Sequence, residues 1–263
     1  MCGNTLPWPL RKEHARQFIG EGTMDLFDLS GRIAVVTGGN SGIGYGIAEG
    51  LAHYGAHIII ANRRPDQGEN ATKRILSQNL SAEPVTTDIA DPNSVAALVD
   101  TVISRHGRID ILVNSAGVIL RKPIEDMTED EYDAIMDINL RGTFMCCRDV
   151  GRHMIQRGKG KIINISSNVS QVCQPNRTIY AASKAGISHM TRGFALEWAT
   201  RGVNVNAIGP GPTRTELNEK HFTEHPEDLQ ALVRNIPMAR VGYPADCVGV
   251  AAVSYTHLTL PTN

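Results

Sequence analysis

The sequence has no surplus of either charge. Lys and Arg total 26 against 27 Asp and Glu, for a formal net charge of −1. Without a basic excess or a basic amphipathic stretch there is no electrostatic footprint for nucleic acid or for an anionic membrane surface. Long apolar runs are missing as well: stretches such as IDILVNSAGVIL (from Ile109) fall far short of a bilayer span. The five cysteines (Cys2, Cys146, Cys147, Cys173 and Cys247) form no CxxC pair and no ligand spacing with histidine. That argues against zinc, and no metal is expected. Their number is odd and nothing looks secretory, so a reducing cytoplasm is the expected compartment. Neither an internal repeat nor a low-complexity tract is present. What remains is a chain of 263 residues, enough to bury the core of one α/β domain.

Short β-branched runs alternate with longer amphipathic ones. RIAVVT (Arg32 to Thr37), HIIIA, PVTTDIAD (which runs into a turn), IDILVNSAG, KIINISS and VNVNAIGPG read as six strands. Between them, Ile43 to Tyr54, ENATKRILSQNL, NSVAALVDTVISRHG, a long TEDEYDAIMDINLRGTFMCCRDVGRHMIQRG and YAASKAGISHMTRGFALEWAT read as helices. The third of these is expected to start on an N-cap at Asn93 or Ser94 and to stop at Gly107; Thr128 and Glu131 fit a capping box. Strands separated by helices of this length imply βαβ units and a parallel, doubly wound sheet.

Chemistry concentrates in two places. TGGNSGIG (Thr37 to Gly44) follows a strand and opens a helix, the context of a dinucleotide cradle. Gly38 permits the turn, Gly42 a close backbone approach to a pyrophosphate, and Gly44 tight helix–strand packing. Asn40, Ser41 and Ile43 complete that turn, and the helix N-terminus offers free N–H groups. Asn62 stands where users of NAD usually carry an acid, and Arg63 and Arg64 follow with groups suited to a phosphate. This favours NADP(H) over NAD(H). The second place holds Ser167, Tyr180 and Lys184. Tyr180 and Lys184 are four apart and share a helix face. A nearby ammonium would pull the phenol toward working pH, and the phenol would then move a proton at a substrate oxygen. Ser166 competes with Ser167, but alternation along the strand sends it to the opposite face. Cys146 and Cys147 read as packing.

These motifs together resemble the short-chain dehydrogenases/reductases, from about Leu26 to about Val250. TGGNSGIG is similar to the family's TGxxxGxG, NSAG to its NNAG with one substitution, and GPGPTRT carries the PG step after the sixth strand. The resemblance implies a sheet ordered 3-2-1-4-5-6 and an Asn139, Ser167, Tyr180, Lys184 tetrad. In it Asn139 holds a water leading from Lys184 to solvent, and Lys184 binds the nicotinamide ribose. Asp88, with Ile89 beside it, resembles the adenine contact. Asn114, Ala116 and Gly117 resemble the segment flanking the cofactor, with Asn114 more structural than chemical. Pro210, Gly211, Thr213 and Thr215 fall near the nicotinamide amide. Ser41 departs from the basic residue often found in NADP(H)-using relatives. The implied activity is hydride exchange between a nicotinamide and an alcohol or ketone, in a homo-oligomer, most simply a tetramer. Overall flavour points to the sugar-acid and polyol branch, with gluconate and 2-deoxygluconate dehydrogenases as models. A 3-oxoacyl carrier-protein reductase is the alternative enzyme, and a nicotinamide-binding redox sensor without turnover is the alternative of another class. The segment from about Thr213 to Pro237 reads as a polar substrate loop.

Both ends look foreign. Residues 1–23 lack the apolar core of a signal peptide and read as an extension, with Met24 opening the domain. Residues 253–263, VSYTHLTLPTN, match a translated transposon-based sequencing adapter. The expectation is a domain over 24–252 whose seventh strand is missing.

Overall fold

A computed structural model describes residues 27–256; the expectations for residues 1–23 and for 257–263 lie outside the described residues. Six strands form one parallel sheet: β1 (Ile33–Thr37), β2 (His57–Asn62), β3 (Ala82–Thr86), β4 (Ile111–Asn114), β5 (Gly160–Ile165) and β6 (Val203–Ile208). Their spatial order is β3-β2-β1-β4-β5-β6. The helices are α1 (Gly42–His53), α2 (Pro65–Leu76), α3 (Pro92–His106), α4 (Glu129–Met136), α5 (Thr143–Gln156), α6 (Thr178–Trp198), α7 (Glu216–Glu224), α8 (Pro226–Arg234) and α9 (Val248–Thr256). Among the described residues no strand follows β6; the chain beyond it is helical, and α9 takes in Val253–Thr256.

The strand sequences explain why helices cover both faces. Successive side chains point to opposite sides of a strand, so a run apolar at every position needs cover twice. Ala34, Val36, Ile58, Ile60, Ile111 and Val113 pack with Ile47, Ala48 and Leu51 of α1 and Ile75 of α2. Ile33, Val35, Ile59 and Leu112 pack on the other face with Val95, Leu98 and Val102 of α3 and Met145, Val150 and Met154 of α5. Cys146 and Cys147 are buried in that second layer, and burial pushes the Cys146 thiol up to about 12, which makes it inert packing.

The structure differs from the sequence pattern at several element boundaries. α3 starts at an Asp91 cap, whose side chain accepts from the Asn93 N–H, with Pro92 in the first turn, rather than at Asn93 or Ser94. α2 begins at Pro65 and stops before Asn79, which sits at φ 60°, so ENATKRILSQNL marks only its latter part. β3 covers Ala82–Thr86, and the chain then runs into the expected turn at Thr87 and Asp88. The long helix from Glu129 is interrupted by a π-helical turn at Asp137–Gly142, a local widening that periodicity does not report. The supposed loop from Thr213 carries α7 and α8.

One buried carboxylate ties the lower end of the sheet together. Asp110, 3% exposed, accepts from the Ile33 N–H at 3.0 Å, from Arg108 Nε at 3.0 Å and from Arg157 at 3.1 Å. Burial alone would raise its pKa, but the Ile33 N–H and the two guanidinium groups prevail and hold it below 3.8. A depressed carboxylate contributes stability above its unfolded value, and that contribution is lost as pH falls through the lower folded value. Asp110→Ala is expected to destabilise by about 1–3 kcal/mol, since it strands a buried N–H. It is also expected to flatten the acid limb of the unfolding profile. A urea titration at neutral and acid pH measures both.

Candidate active site

The strand order reverses between β1 and β4, and a crevice opens beyond the carboxyl ends of strands at such a point. A cavity of about 480 Å³ lies there. It is lined by the glycine turn after β1, by Asn62 to Arg64 after β2, by Asp88 and Ile89 after β3, by Ser115 to Ile119 after β4, by Ser166 to Val169 after β5, and by Pro210 to Thr213 after β6. Tyr180, Lys184 and Thr215 also line it.

Gly38 has φ +65°, and a Cβ there would lie 2.7 Å from the Ala116 Cα. A Cβ on Gly44 would overlap the Gly38 carbonyl. Both positions therefore demand glycine, and the backbone is packed to its limit around the mouth of α1. Ser41 caps α1 with extended backbone and no side-chain cap bond, which leaves first-turn N–H groups for an anion. Thr37 braces the other wall: its Oγ1 accepts from the N–H groups of Ser115 (3.2 Å) and Ala116 (3.3 Å). These features fit a dinucleotide phosphate. Asn40 donates to Gln67 at 3.0 Å, and the buried Asn62 donates to the Arg64 carbonyl at 2.5 Å, so Asn62 shapes the start of α2. Arg63 and Arg64 are exposed at the rim.

Asn114 is the one expected cofactor residue that does not line the cavity. It is 3% exposed and donates to Asn164 (2.9 Å) and to Cys147 Sγ (3.2 Å), beneath the loop. Asp88 accepts from the Ala90 N–H, and Ser94 Oγ accepts from the Asp88 N–H; together they fix the turn that presents Ile89. Thr215 sits over Gly42, its N–H bonded to Asn218 at 2.9 Å, while Thr213 is 7% exposed and turned onto the Gly211 carbonyl. Ser167 lies two residues beyond β5, at the cap of a short 3-10 turn, with its hydroxyl beside Tyr180; Ser166 is held by the Lys184 carbonyl (2.9 Å) and Ser188 (2.6 Å).

Asn139 sits in the π turn and is fully buried. Its Nδ2 donates to the Val118 carbonyl (2.9 Å) and Ser183 Oγ (3.1 Å), and its Oδ1 accepts from the Val118 N–H (2.8 Å). The side chain is thus a clamp on the loop after β4. Lys184 is buried; its Nζ donates to the Ile165 carbonyl at 2.8 Å and lies 5.8 Å from the centre of the Tyr180 ring. Burial lowers the Lys184 pKa to about 8.

The electrostatics of Tyr180 differ from expectation. Burial raises its pKa above the usual value near 10, and Ser167, Arg177 and Arg121 oppose that rise. The phenol therefore stands protonated at neutral pH. Arg121 and Arg177 were not singled out in the sequence. Arg177 stands three residues before Tyr180 at the start of α6, a helical neighbour that spacing alone could have flagged. Arg177 is half-buried, donates to Gln174 at 2.5 Å, and has its own pKa lowered by burial and by Arg121.

Comparison with known proteins agrees with this geometry. Residues 32–226 match the family model described as short chain dehydrogenase. A D-threitol dehydrogenase of Mycolicibacterium smegmatis is 39% identical over 227 residues, 86% of this chain and 86% of the relative. A gluconate 5-dehydrogenase of Gluconobacter oxydans is 35% identical over 227 residues, 86% of this chain and 88% of the relative. The crystal structure of a gluconate 5-dehydrogenase from Burkholderia cenocepacia in complex with NADP and tartrate superposes with a TM-score of 0.84 at 36% identity, covering 88% of this chain and 91% of that one. The glycine cradle, the strand order and a family match across most of the described residues carry one conclusion: the chain belongs to the short-chain dehydrogenases and is an NAD(P)-dependent oxidoreductase that interconverts an alcohol and a ketone.

Proposed function

We propose that the enzyme acts on a secondary hydroxyl, or the matching ketone, of a small acidic sugar derivative, with NADP(H) as its dinucleotide. One observation carries the substrate class: Arg121 and Arg177 both bear on Tyr180 inside the cleft. Asp88 is the only acid among the described lining residues, and it lies after β3. A carboxylate held by the two guanidinium groups places the rest of a short chain against the phenol. The names of the relatives, a gluconate and a threitol dehydrogenase, support a short polyhydroxylated substrate.

A bound nicotinamide supplies or takes the hydride. The chain handles the proton. Ser167 holds the substrate oxygen by a hydrogen bond. Tyr180 gives its proton to that oxygen in reduction and takes it back in oxidation. Lys184 fixes the nicotinamide ribose, and its ammonium is present below about 8. Asn139 keeps the loop after β4 in place beneath them. Gly38, Asn40, Ser41, Gly42, Ile43 and Gly44 cradle the pyrophosphate. Ala116, Gly117, Pro210, Gly211, Thr213 and Thr215 flank the nicotinamide end. A panel of sugar acids, neutral polyols and acyl thioesters, followed by nicotinamide absorbance, tests the reading. Preference for acyl thioesters would favour a 3-oxoacyl carrier-protein reductase; tight dinucleotide binding without turnover would favour a sensor.

Arg63 is the residue placed for a 2′-phosphate, at the open rim beside Asn62. Arg63→Ala is expected to weaken NADP(H) about tenfold, the worth of one charge-assisted contact, and to leave NAD(H) unchanged. Asn62→Asp is the poorer test, because it sets a carboxylate oxygen against the Arg64 carbonyl. Equal or better efficiency with NAD in the parent enzyme would overturn the preference. A tetramer is proposed to form through α5 and α6. Phe144 (39% exposed) and Leu196 (71% exposed) stand uncovered on them, next to the stacked Phe194 and Trp198. Light scattering is expected to show it, and a stable monomer would refute it.

A further inference from the structure

Three ligand-type side chains meet at the end of the sheet opposite the cleft. His57 opens β2, Glu83 lies on β3, and His106 is the last residue of α3. One donor atom from each lies within 4.8 Å of the others. His106 Nε2 is 3.1 Å from Glu83 Oε1, and the two imidazole centroids are 4.8 Å apart. His57 Nδ1 is 2.6 Å from Ser81 Oγ. His57 Nε2, on the far side of the ring, is buried with no hydrogen-bond partner among the described residues. A ring nitrogen shut away from both water and protein is costly, and a structure that keeps one invites the question of what it binds.

We propose that His57, Glu83 and His106 bind one divalent transition-metal ion of the zinc class, with water in the fourth position. Two imidazoles and a carboxylate are a donor set zinc accepts, whereas calcium and magnesium prefer all-oxygen shells. The ion takes His57 Nε2 and displaces the proton held between His106 Nε2 and Glu83 Oε1, which leaves to solvent. Ser81 Oγ accepts from His57 Nδ1–H, which fixes the tautomer that turns Nε2 toward the ion. Arg105 sits 3.3 Å from Glu83 Oε1, but its side chain is 54% exposed and swings out at little cost.

The ion would staple the edge strand β3 to its neighbour β2 and to the end of α3. An open sheet edge is the part of the fold most in need of such a tie. β2 runs from His57 to Asn62, which lines the cleft, so about 17 Å of strand separate the two sites. The inference is therefore independent of the substrate reading, and the sequence hid it because none of the ligands is a cysteine and no two are close in the chain.

The test uses tag-free protein stripped by a chelator, titrated with zinc chloride by calorimetry and with cobalt(II) by visible absorbance. One ion per chain is expected, with an intense cobalt band of a four-coordinate site, a raised melting temperature and unchanged turnover. Ser81→Ala is expected to weaken binding about 10–100-fold. His57→Gln with His106→Gln, checked for folding by circular dichroism, is expected to remove it. No stoichiometric uptake by the parent, a weak six-coordinate cobalt spectrum, or undiminished binding in the double variant would overturn the site.

Discussion

Replacing Tyr180 with Phe is expected to lower kcat by about 10²–10⁴-fold, the usual worth of a positioned acid or base. The substitution removes one hydroxyl and leaves the ring, so dinucleotide affinity stays close to the parent value. The effect follows from the isolation of this phenol. Ser167 lies beside the phenol but offers only an aliphatic hydroxyl, and Lys184 is turned onto the Ile165 carbonyl. The pH dependence gives a second readout. Burial holds the Tyr180 pKa above 10, so the protonated form needed for ketone reduction persists through neutral pH. Alcohol oxidation needs the other form, and its rate is expected to climb through the alkaline range toward that raised value. Lys184 adds a step near 8, where it loses its charge. Lys184→Ala is therefore expected to reduce both rate and dinucleotide affinity, whereas Tyr180→Phe reduces rate alone. Turnover of Tyr180→Phe within a few-fold of the parent, measured by stopped-time absorbance at saturating dinucleotide, would remove the phenol from the mechanism.

The strands and the glycine turn were legible in the sequence because short-range physics decides them. Ile33 to Val36 is apolar at every position, and only a strand covered on both faces tolerates that. TGGNSGIG states its geometry residue by residue, and Gly38 and Gly44 sit where a Cβ would strike backbone. Boundaries were less legible where capping competed with periodicity. Asp91 with Pro92 outbid Asn93 and Ser94, and Pro65 started α2 ahead of its first apolar repeat. The π turn at Asp137–Gly142 left no mark in a pattern of 3.6, yet it is what delivers Asn139 to the loop after β4. The electrostatic expectation for Tyr180 failed for a related reason. Four-residue spacing gives a shared helix face, but it does not say which carbonyl the lysine will prefer or how deeply the phenol will be buried. Arg121 and Arg177 come from the loop after β4 and the start of α6, and only the folded chain brings them together.

Those two arginines carry the sharpest expectation about specificity. Arg177→Ala is expected to raise KM for a sugar acid by about 10–100-fold. That corresponds to one desolvated charge-assisted contact of about 1.5–3 kcal/mol. Arg121 is more exposed, so Arg121→Ala is expected to do less, and the double variant more than either. The contact is present in ground state and transition state alike, so kcat should move little. A neutral polyol of the same length separates recognition from damage. It has no carboxylate to lose, and its kcat/KM is expected to hold while that of the acid collapses. There is one side effect to separate. Both arginines oppose the rise in the Tyr180 pKa, so removing them raises it further. That shift would appear equally with both substrates and as a displaced alkaline limb for oxidation, not as a KM change confined to the acid. Parallel losses on acid and polyol would mean that Arg121 and Arg177 merely support the cleft, and the acidic-substrate reading would fall with them.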